Sequence, residues 1–296
     1  MKPYRLGIDL GGTKIEGIVL DSEMKEIFRY RVPTSQEQGY EAILQRIGDL
    51  YRQLQTKSGV AEHTLGIGTP GAISHHTGRL KNSNTVCLNG RPFQADLEKI
   101  LGRRFATQND ANCFAMAEAL LGAGGGHRVV FGVIMGTGCG GGLVVDGHVL
   151  TGRQGICGEW GHMSIDPQGP VCYCGQRGCV ETFISGGGLE KRFLEESNEK
   201  LDLKEIVERY RCQDDQAQIF MKRFFRHFGR ALANVINILD PDIVVLGGGL
   251  SNIDELYTEG VRETAEVIFS DSFETPIVKN QLGDSAGVIG AALIGI

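Results

Sequence analysis

Two stretches of the chain share one pattern of apolar and polar positions. Arg5–Leu10 is a short apolar run, Gly11-Gly12-Thr13 interrupts it, and Lys14–Leu20 is apolar again. Asp21-Ser22-Glu23 is a turn signal, and Lys25–Val32 is a third extended run. Short apolar runs bounded by turn-forming residues predict strands, here an opening meander. The order returns about half a chain later. Val129–Met135 is apolar, Gly136–Gly142 is a glycine-rich turn containing Thr137, Gly142–Val145 is apolar, and Asp146-Gly147 is a hairpin turn. This weak internal repeat predicts two similar α/β halves.

Other periodicities fill in the halves. Tyr40–Lys57 carries Ile43, Leu44, Ile47, Leu50, Tyr51 and Leu54 at helical spacing. Leu65–Gly68 predicts a strand ending at Pro70-Gly71, and Asn112–Leu121 a helix. The chain reads as helical from about Leu203 to Leu239, with Phe220, Phe224, Phe228, Leu232, Val235, Ile236 and Leu239 as a core-facing stripe that Asp240-Pro241 ends. Ile243–Leu246 predicts a buried strand running into Gly247-Gly248-Gly249, then a helix from about Asn252 to Ile268, then a short small-residue helix at Gly287–Ile294. No linker rich in proline or serine separates the halves. The expected division is an N-terminal lobe of residues 1–120, completed by the terminal helix at 285–296, and a C-terminal lobe of residues 121–284.

Composition narrows the class. At 296 residues and 41% hydrophobic content, the chain can bury a sizeable core. A net charge of −6 without any basic run argues against nucleic acid as a partner. The apolar stretches are far too short to span a bilayer, and Met1–Gly7 shows no apolar core of a secretory signal. A cytoplasmic protein is expected. Eight cysteines in such a protein do not suggest a disulfide framework. Five are scattered, at Cys87, Cys113, Cys139, Cys157 and Cys212, and read as small core residues; Cys172, Cys174 and Cys179 are clustered. The 43 glycines, about twice the usual share, fall in discrete clusters that suggest tight turns and close approach to a ligand.

Asp9-Leu10-Gly11-Gly12-Thr13-Lys14 lies at the tip of the first strand pair. Glycines there let backbone N–H groups face an anion, Thr13 offers a hydroxyl to a phosphate, and Asp9 could hold Mg²⁺ through water; a plain hairpin turn is the alternative. Gly136-Thr137-Gly138-Cys139-Gly140-Gly141-Gly142 formally contains the dinucleotide pattern G-x-G-x-x-G. A strand follows it rather than a helix, which argues against a nicotinamide cofactor, and no P-loop motif is present. Two glycine-threonine turns between strands fit two phosphate clips across a cleft, the second using Thr137, Gly138 and Gly140. Gly248 and Gly249 make either a tight strand-to-helix turn or a close approach to a nucleoside. Cys172, Cys174 and Cys179 supply three thiols within eight residues, and His162 can supply a fourth ligand. Cys₃His is a closed tetrahedral set suited to structural zinc, against the alternative of regulatory thiols. If one ring nitrogen of His162 binds zinc, the other stays free to hydrogen-bond a ligand. Asn109-Asp110 precedes a helix, so simple capping accounts for Asp110 on local grounds.

Taken together, Asp9–Lys14, Asn109-Asp110, Gly136–Gly142, Gly158-Glu159-Trp160-Gly161-His162, Cys172–Cys179 with Glu181, and Gly247–Gly249 resemble the ROK (repressor, open reading frame, kinase) family of sugar kinases over essentially the full length. The resemblance implies a two-lobed α/β fold of the actin-like ATPase (ribonuclease H-like) type with an interlobe cleft, Mg-ATP as phosphoryl donor, and a homodimer. It assigns the same four zinc ligands, makes Asp110 the catalytic base, and lines the sugar with Asn84, Asn109, Glu159, His162 and Glu181. Repressor members carry an extra N-terminal DNA-binding region that this chain does not show, so a kinase acting on the 6-hydroxyl of a hexose is expected. Lys81–Thr85, Leu88–Phe93 and Cys172–Gly175 look most like the bacterial fructokinase branch, which puts D-fructose first. The N-acetylglucosamine, N-acetylmannosamine and glucose kinases are the alternatives. A non-catalytic sugar sensor would keep the pocket but lose Asp110 or a phosphate turn, and both are present.

Overall fold

The computed structural model describes residues 4–296; Met1–Pro3, part of the N-terminal segment read above, lie outside the described residues. The first half runs β1 (Tyr4–Leu10), β2 (Lys14–Leu20), β3 (Glu26–Pro33), α1 (Tyr40–Ser58), β4 (His63–Thr69), a small hairpin β5 (Ala72–Ile73) and β6 (Leu80–Lys81), α2 (Phe93–Leu101), β7 (Ala106–Asn109) and α3 (Asp110–Leu121). The second runs β8 (Val129–Met135), β9 (Cys139–Val145), β10 (His148–Val149), α4 (Val180–Ile184), α5 (Gly186–Ser197), α6 (Leu203–Arg211), α7 (Asp215–Leu239), β11 (Ile243–Gly247), α8 (Glu259–Ala265), β12 (Ile277–Lys279) and α9 (Ala286–Leu293).

The repeat seen in the apolar pattern is a repeat of topology. One sheet has the order β3-β2-β1-β4-β7 and the other β10-β9-β8-β11-β12. In each, a three-stranded antiparallel meander is followed by two strands parallel to its first strand. The first sheet buries Leu6, Ile8, Ile15 and Ile67 against Ile43, Ile47 and Leu50 of α1 and Leu97 of α2. The second buries Phe131, Val133 and Leu246 with the predicted stripe of α7, from Phe220 and Phe224 to Leu232 and Ile236. Among the described residues no helix is long and apolar enough to cross a membrane.

Helices α3 and α9 lie between the sheets. α9 packs on β1, β4 and β2, α3 packs on β8 and β9, and the two helices pack on each other. The contacts are backbone-close. A Cβ on Gly66 of β4 would sit 2.0 Å from the Ala291 carbonyl oxygen, and one on Gly142 of β9 would sit 2.7 Å from the Ala111 carbonyl oxygen. Small residues are therefore required at both seams, and the alanines of α3 (Ala111, Ala115, Ala117, Ala119) are all buried.

Three predicted elements differ. The long helical region splits into α6 and α7, because Asp202 forms a capping box with Glu205 and Asp214 caps a second helix by accepting from Ala217 N–H. The helix expected from Asn252 to Ile268 is two 3-10 turns, Gly249–Asn252 and Asp254–Tyr257, followed by the shorter α8. There the Ser251 hydroxyl bonds the Gly248 carbonyl and the Tyr257 hydroxyl bonds the Ser251 carbonyl, local bonds that compete with a continuous helix. The second glycine turn ends at Gly138, since Cys139 to Gly142 pair with β8 as strand. If the seams set the sheet spacing, Gly66→Ala must prise β4 from α9. It is expected to cost about 1–3 kcal/mol of stability, read as a lowered urea midpoint. An unchanged midpoint would contradict the close approach.

Candidate active site

The C-terminal ends of the parallel strands and the turns beside them converge on a cleft. β1 ends beside Asp9, β7 ends at Asn109, β8 ends before Gly136, and β11 ends at Gly247. Two cavities open there. The larger, about 1160 Å³, is lined on one side by Lys81, Asn84, Asn89, Asn109 and Asp110, and on the other by Gly136–Gly141, Glu159, His162, Tyr173 and Glu181. The smaller, about 390 Å³, is lined by Asp9, Asp110, Gly248, Gly249, Ser251, Asn252 and the segment from Lys279 to Gly287. Asp110 and Ile134 line both.

Asp110 owes its position to its neighbour. Asn109 is the N-cap of α3, its side chain accepting from Asn112 N–H at 2.8 Å. Asp110 is thus the first helical residue, not the cap, and its Oδ1 accepts from Ala111 N–H at 2.8 Å. Its carboxyl opens onto the cleft with protein crowded around it, and that desolvation raises its pKa. Asp9 is pushed up to about 7 by burial first, then by the charges of Asp110 and Glu16, with Lys14 acting the other way. Glu159 is also raised, mainly by burial, with His162 opposing.

The remaining residues are held by identifiable bonds. Asn89 brackets the loop carrying Asn84, with Oδ1 accepting from Ser83 N–H at 2.9 Å and Nδ2 donating to the Ser83 carbonyl at 2.8 Å. Glu181, in the first turn of α4, accepts from Cys139 N–H at 2.9 Å and so reaches the second glycine turn. Thr137 and Gly138 are exposed at that turn, while Gly140 lies within β9 and accepts the Trp160 indole N–H at 3.0 Å. Of the first turn, Asp9 lines the smaller cavity, whereas Gly11, Gly12, Thr13 and Lys14 line neither of the two. That turn is braced from behind by Thr34, whose hydroxyl donates to the Gly11 carbonyl at 2.7 Å and whose N–H donates to the Thr13 carbonyl at 2.9 Å.

The cysteine loop brings four donors together. One ligand atom from each of His162, Cys172, Cys174 and Cys179 lies within 4.8 Å of all the others. Cys174 and Cys179 sulfurs are 3.6 Å apart, and the Cys172 sulfur is 3.7 Å from His162 Nδ1. Zinc–sulfur bonds of about 2.3 Å in a tetrahedron separate sulfurs by about 3.8 Å, so the donor set fits a closed zinc site. Gly178 makes the loop possible, with φ of +65° and no space for a Cβ beside the Asp166 carbonyl. His162 Nε2 points away from the sulfurs and meets the Tyr173 hydroxyl at 3.0 Å. Sequence reading passed over Tyr173, although its place inside the cysteine run at the cavity wall was the available signal. Lys81 enters the sequence reading only within the stretch compared with the fructokinase branch, and Ser251, Asn252 and the Lys279–Gly287 segment carry no signal of their own.

Two five-stranded sheets of the same topology, with α3 and α9 packed between them and a cleft at their strand ends, define the actin-like ATPase fold. The chain belongs to the ROK family, whose model, described as "ROK family", matches residues 5–295. It is 37% identical over 299 residues to the N-acetyl-D-glucosamine kinase of Yersinia pseudotuberculosis serotype IB (strain PB1/+), covering 97% of both chains. The N-acetyl-D-glucosamine kinase of Pectobacterium atrosepticum is likewise 37% identical over 298 residues, with 97% of each covered. Among solved structures, the ROK hexokinase from Thermus thermophilus superposes with a TM-score of 0.89 at 31% identity, covering 99% of this chain and 97% of that one. A ROK family glucokinase from Streptomyces griseus, in complex with glucose and AMPPNP, gives a TM-score of 0.80 at 27% identity over 99% of both.

The Asp9 carboxyl sets a pH dependence. The unfolded chain releases this proton near pH 4, and the folded protein holds it to about 7. The folded state therefore binds more protons across that window, and the stability tied to Asp9 falls as pH rises. Melting temperatures of Asp9→Asn minus wild type should grow more positive from pH 5 to pH 8. A difference that stays flat would contradict the environment described for Asp9.

Proposed function

We propose that the protein is a sugar kinase that transfers the γ-phosphoryl group of ATP to the 6-hydroxyl of N-acetyl-D-glucosamine, with Asp110 accepting the hydroxyl proton. The observation that carries this reading is the position of Asp110 where the larger and smaller cavities meet. An acceptor hydroxyl in the larger cavity and a phosphoryl donor in the smaller one would face each other past that carboxyl. The raised pKa suits the role, because a base works best with a pKa drawn toward the operating pH. Phosphoryl transfer asks the protein for alignment and charge stabilisation rather than a covalent intermediate. Thr137 and Gly138 of the second glycine turn, on the wall of the larger cavity, would face the phosphate being transferred, whereas the first turn would reach the phosphates only from beside the two cavities, through the Thr13 hydroxyl, since the Gly11 N–H is taken by the Lys14 carbonyl. Asp9 would hold the magnesium that accompanies ATP and neutralises its charge.

On the sugar side, Asn84, Asn109, Glu159 and Glu181 offer amides and carboxylates to a ring of hydroxyls, and His162 would add its Nε2 where a sugar hydroxyl takes the place of the Tyr173 hydroxyl. His162, Cys172, Cys174 and Cys179 would hold a structural zinc, which would fix the ring of His162. The amino sugar takes precedence over the D-fructose first expected, because the relatives from Yersinia and Pectobacterium are N-acetyl-D-glucosamine kinases. The stretches that suggested fructose, around Asn84, Asn89 and Cys172–Gly175, do local work of loop bracing and donor clustering that either sugar could use.

Release of ADP from Mg-ATP, measured against N-acetyl-D-glucosamine, N-acetylmannosamine, glucose, mannose and fructose, should be fastest with N-acetyl-D-glucosamine. Preference for fructose would restore the first expectation, and no turnover with any would overturn the kinase reading. Asp110→Asn should lower kcat by about a hundredfold to ten-thousandfold with little change in sugar affinity by calorimetry. Near-normal turnover would remove Asp110 from its role. Elemental analysis should find about one zinc per chain. Cys179→Ser should lose it along with melting temperature and turnover, and a metal-free protein of full stability would contradict the site.

A further inference from the structure

Glu118 is a carboxylate that the mechanism above does not use. It lies on α3, eight residues after Asp110 and so about 12 Å along the helix, and its side chain is fully buried, at 0% exposure. A buried carboxylate is costly unless its oxygens are satisfied. Among the described residues its donors are three backbone N–H groups and no basic side chain. Oε2 accepts from Ala123 at 2.9 Å and from Gln281 at 3.1 Å, and Oε1 accepts from Leu282 at 2.9 Å. Two of these donors come from the segment between β12 and α9, more than 160 positions away in sequence. That segment supplies Asn280, Gln281, Gly283 and Asp284 to the wall of the smaller cavity, beside Lys279 at the end of β12.

The chain makes room for this carboxylate. A Cβ on Gly122 would fall 2.1 Å from Glu118 Oε2. The φ of Gly122 is −117°, so nothing in its own backbone angle calls for glycine. Its missing side chain serves the carboxylate.

We propose that Glu118 is a positioning residue for the nucleotide: it ties the wall of the smaller cavity to the helix that presents Asp110, so that donor phosphate and base are held on one rigid frame. Both carboxyl oxygens accept, and their bonds hold the segment at Gln281 and Leu282 before any ligand arrives. The inference rests on the nucleotide reading of the smaller cavity but not on which sugar fills the larger one.

Glu118→Gln keeps the shape but leaves one acceptor oxygen where two are used, and turns an NH₂ toward an N–H. Calorimetry with AMPPNP on the full chain should show nucleotide Kd raised about tenfold or more, since a buried N–H would be left without its acceptor. Sugar Kd should change by less than about twofold, as no sugar-side residue is touched. Gly122→Ala should give the same split by displacing the same carboxylate. The double variant should be little worse than either single one, because both remove one interaction. Unchanged nucleotide Kd in a folded variant, parallel loss of nucleotide and sugar binding, or additive losses would each overturn the proposal. Hydrogen exchange on the wild type, without nucleotide, tests it even if the variants fail to fold. The Gln281 and Leu282 amides should be strongly protected, and rapid exchange there would also overturn it. If the wild type binds no AMPPNP, the kinase reading fails instead, and the exchange measurement still judges the tie.

Discussion

The backbone-to-backbone seam formed by α3 and α9 is the constraint on which the rest depends. α9 presses on the first sheet at Gly66, α3 on the second at Gly142, and the two helices meet where Gly290 leaves no space for a Cβ beside the Cys113 carbonyl. With no side chains to compress or rotate, the separation of the sheets is fixed by van der Waals radii. The cleft opens at the N-terminal end of α3, where strands of both sheets end. In parallel sheets ligands collect at the carboxyl ends of the strands, and here two such ends face one another. Asp110 stands at that point because Asn109 caps the helix and leaves the next carboxyl pointing outward.

The electrostatics of the cleft follow from the same crowding. Asp9, Asp110 and Glu159 all have raised pKa values, with burial as the leading cause; neighbouring carboxylates add to it at Asp9 and Glu159, while backbone N–H bonds oppose it at Asp110. Lys14 and Lys81 only partly offset this. A polyphosphate entering alone would meet like charge. On the proposed reading this arrangement would favour a nucleotide that brings its own cation, while burial keeps Asp110 reluctant to ionise. The low-dielectric surroundings that make the carboxyl a poor anion make it a better proton acceptor.

Much of this was legible in the apolar pattern. The strand pair flanking each glycine turn, the helix at Tyr40–Ser58 and the duplicated order of elements follow from runs and turn signals along the chain. The cysteine cluster was legible because its spacing is itself the chemistry. What escaped was whatever depends on the third dimension. Gly140, Gly141 and Gly142 read as one phosphate loop, yet they pair as strand, and Gly142 is there to admit α3. α5 begins with three glycines, which have poor helix propensity, and is started by the Ser185 hydroxyl accepting from Gly188 N–H. Glu118 sits among alanines as an ordinary helix former, and only folding brings Gln281 and Leu282 to it.

Reaction and substrate were unequally legible for a physical reason. On the proposed reading, the base and the phosphate turns would deal with a primary hydroxyl and a polyphosphate, which every hexose kinase shares, so their residue types and spacing are constrained and recognisable. Choice among sugars rests instead on which hydrogen-bonding groups are left unpaired when the wrong ring is bound. The amides and carboxylates of Asn84, Asn109, Glu159 and Glu181 are generic in type and become selective only through their relative placement. Placement is set by loops such as Ser83–Asn89 and the cysteine run, whose geometry depends on bonds like those of Asn89 to Ser83 and Tyr173 to His162. On the same reading, shifting such a loop by an ångström would change the preferred sugar while leaving Asp110 in place, in keeping with relatives on one frame that are named for different sugars.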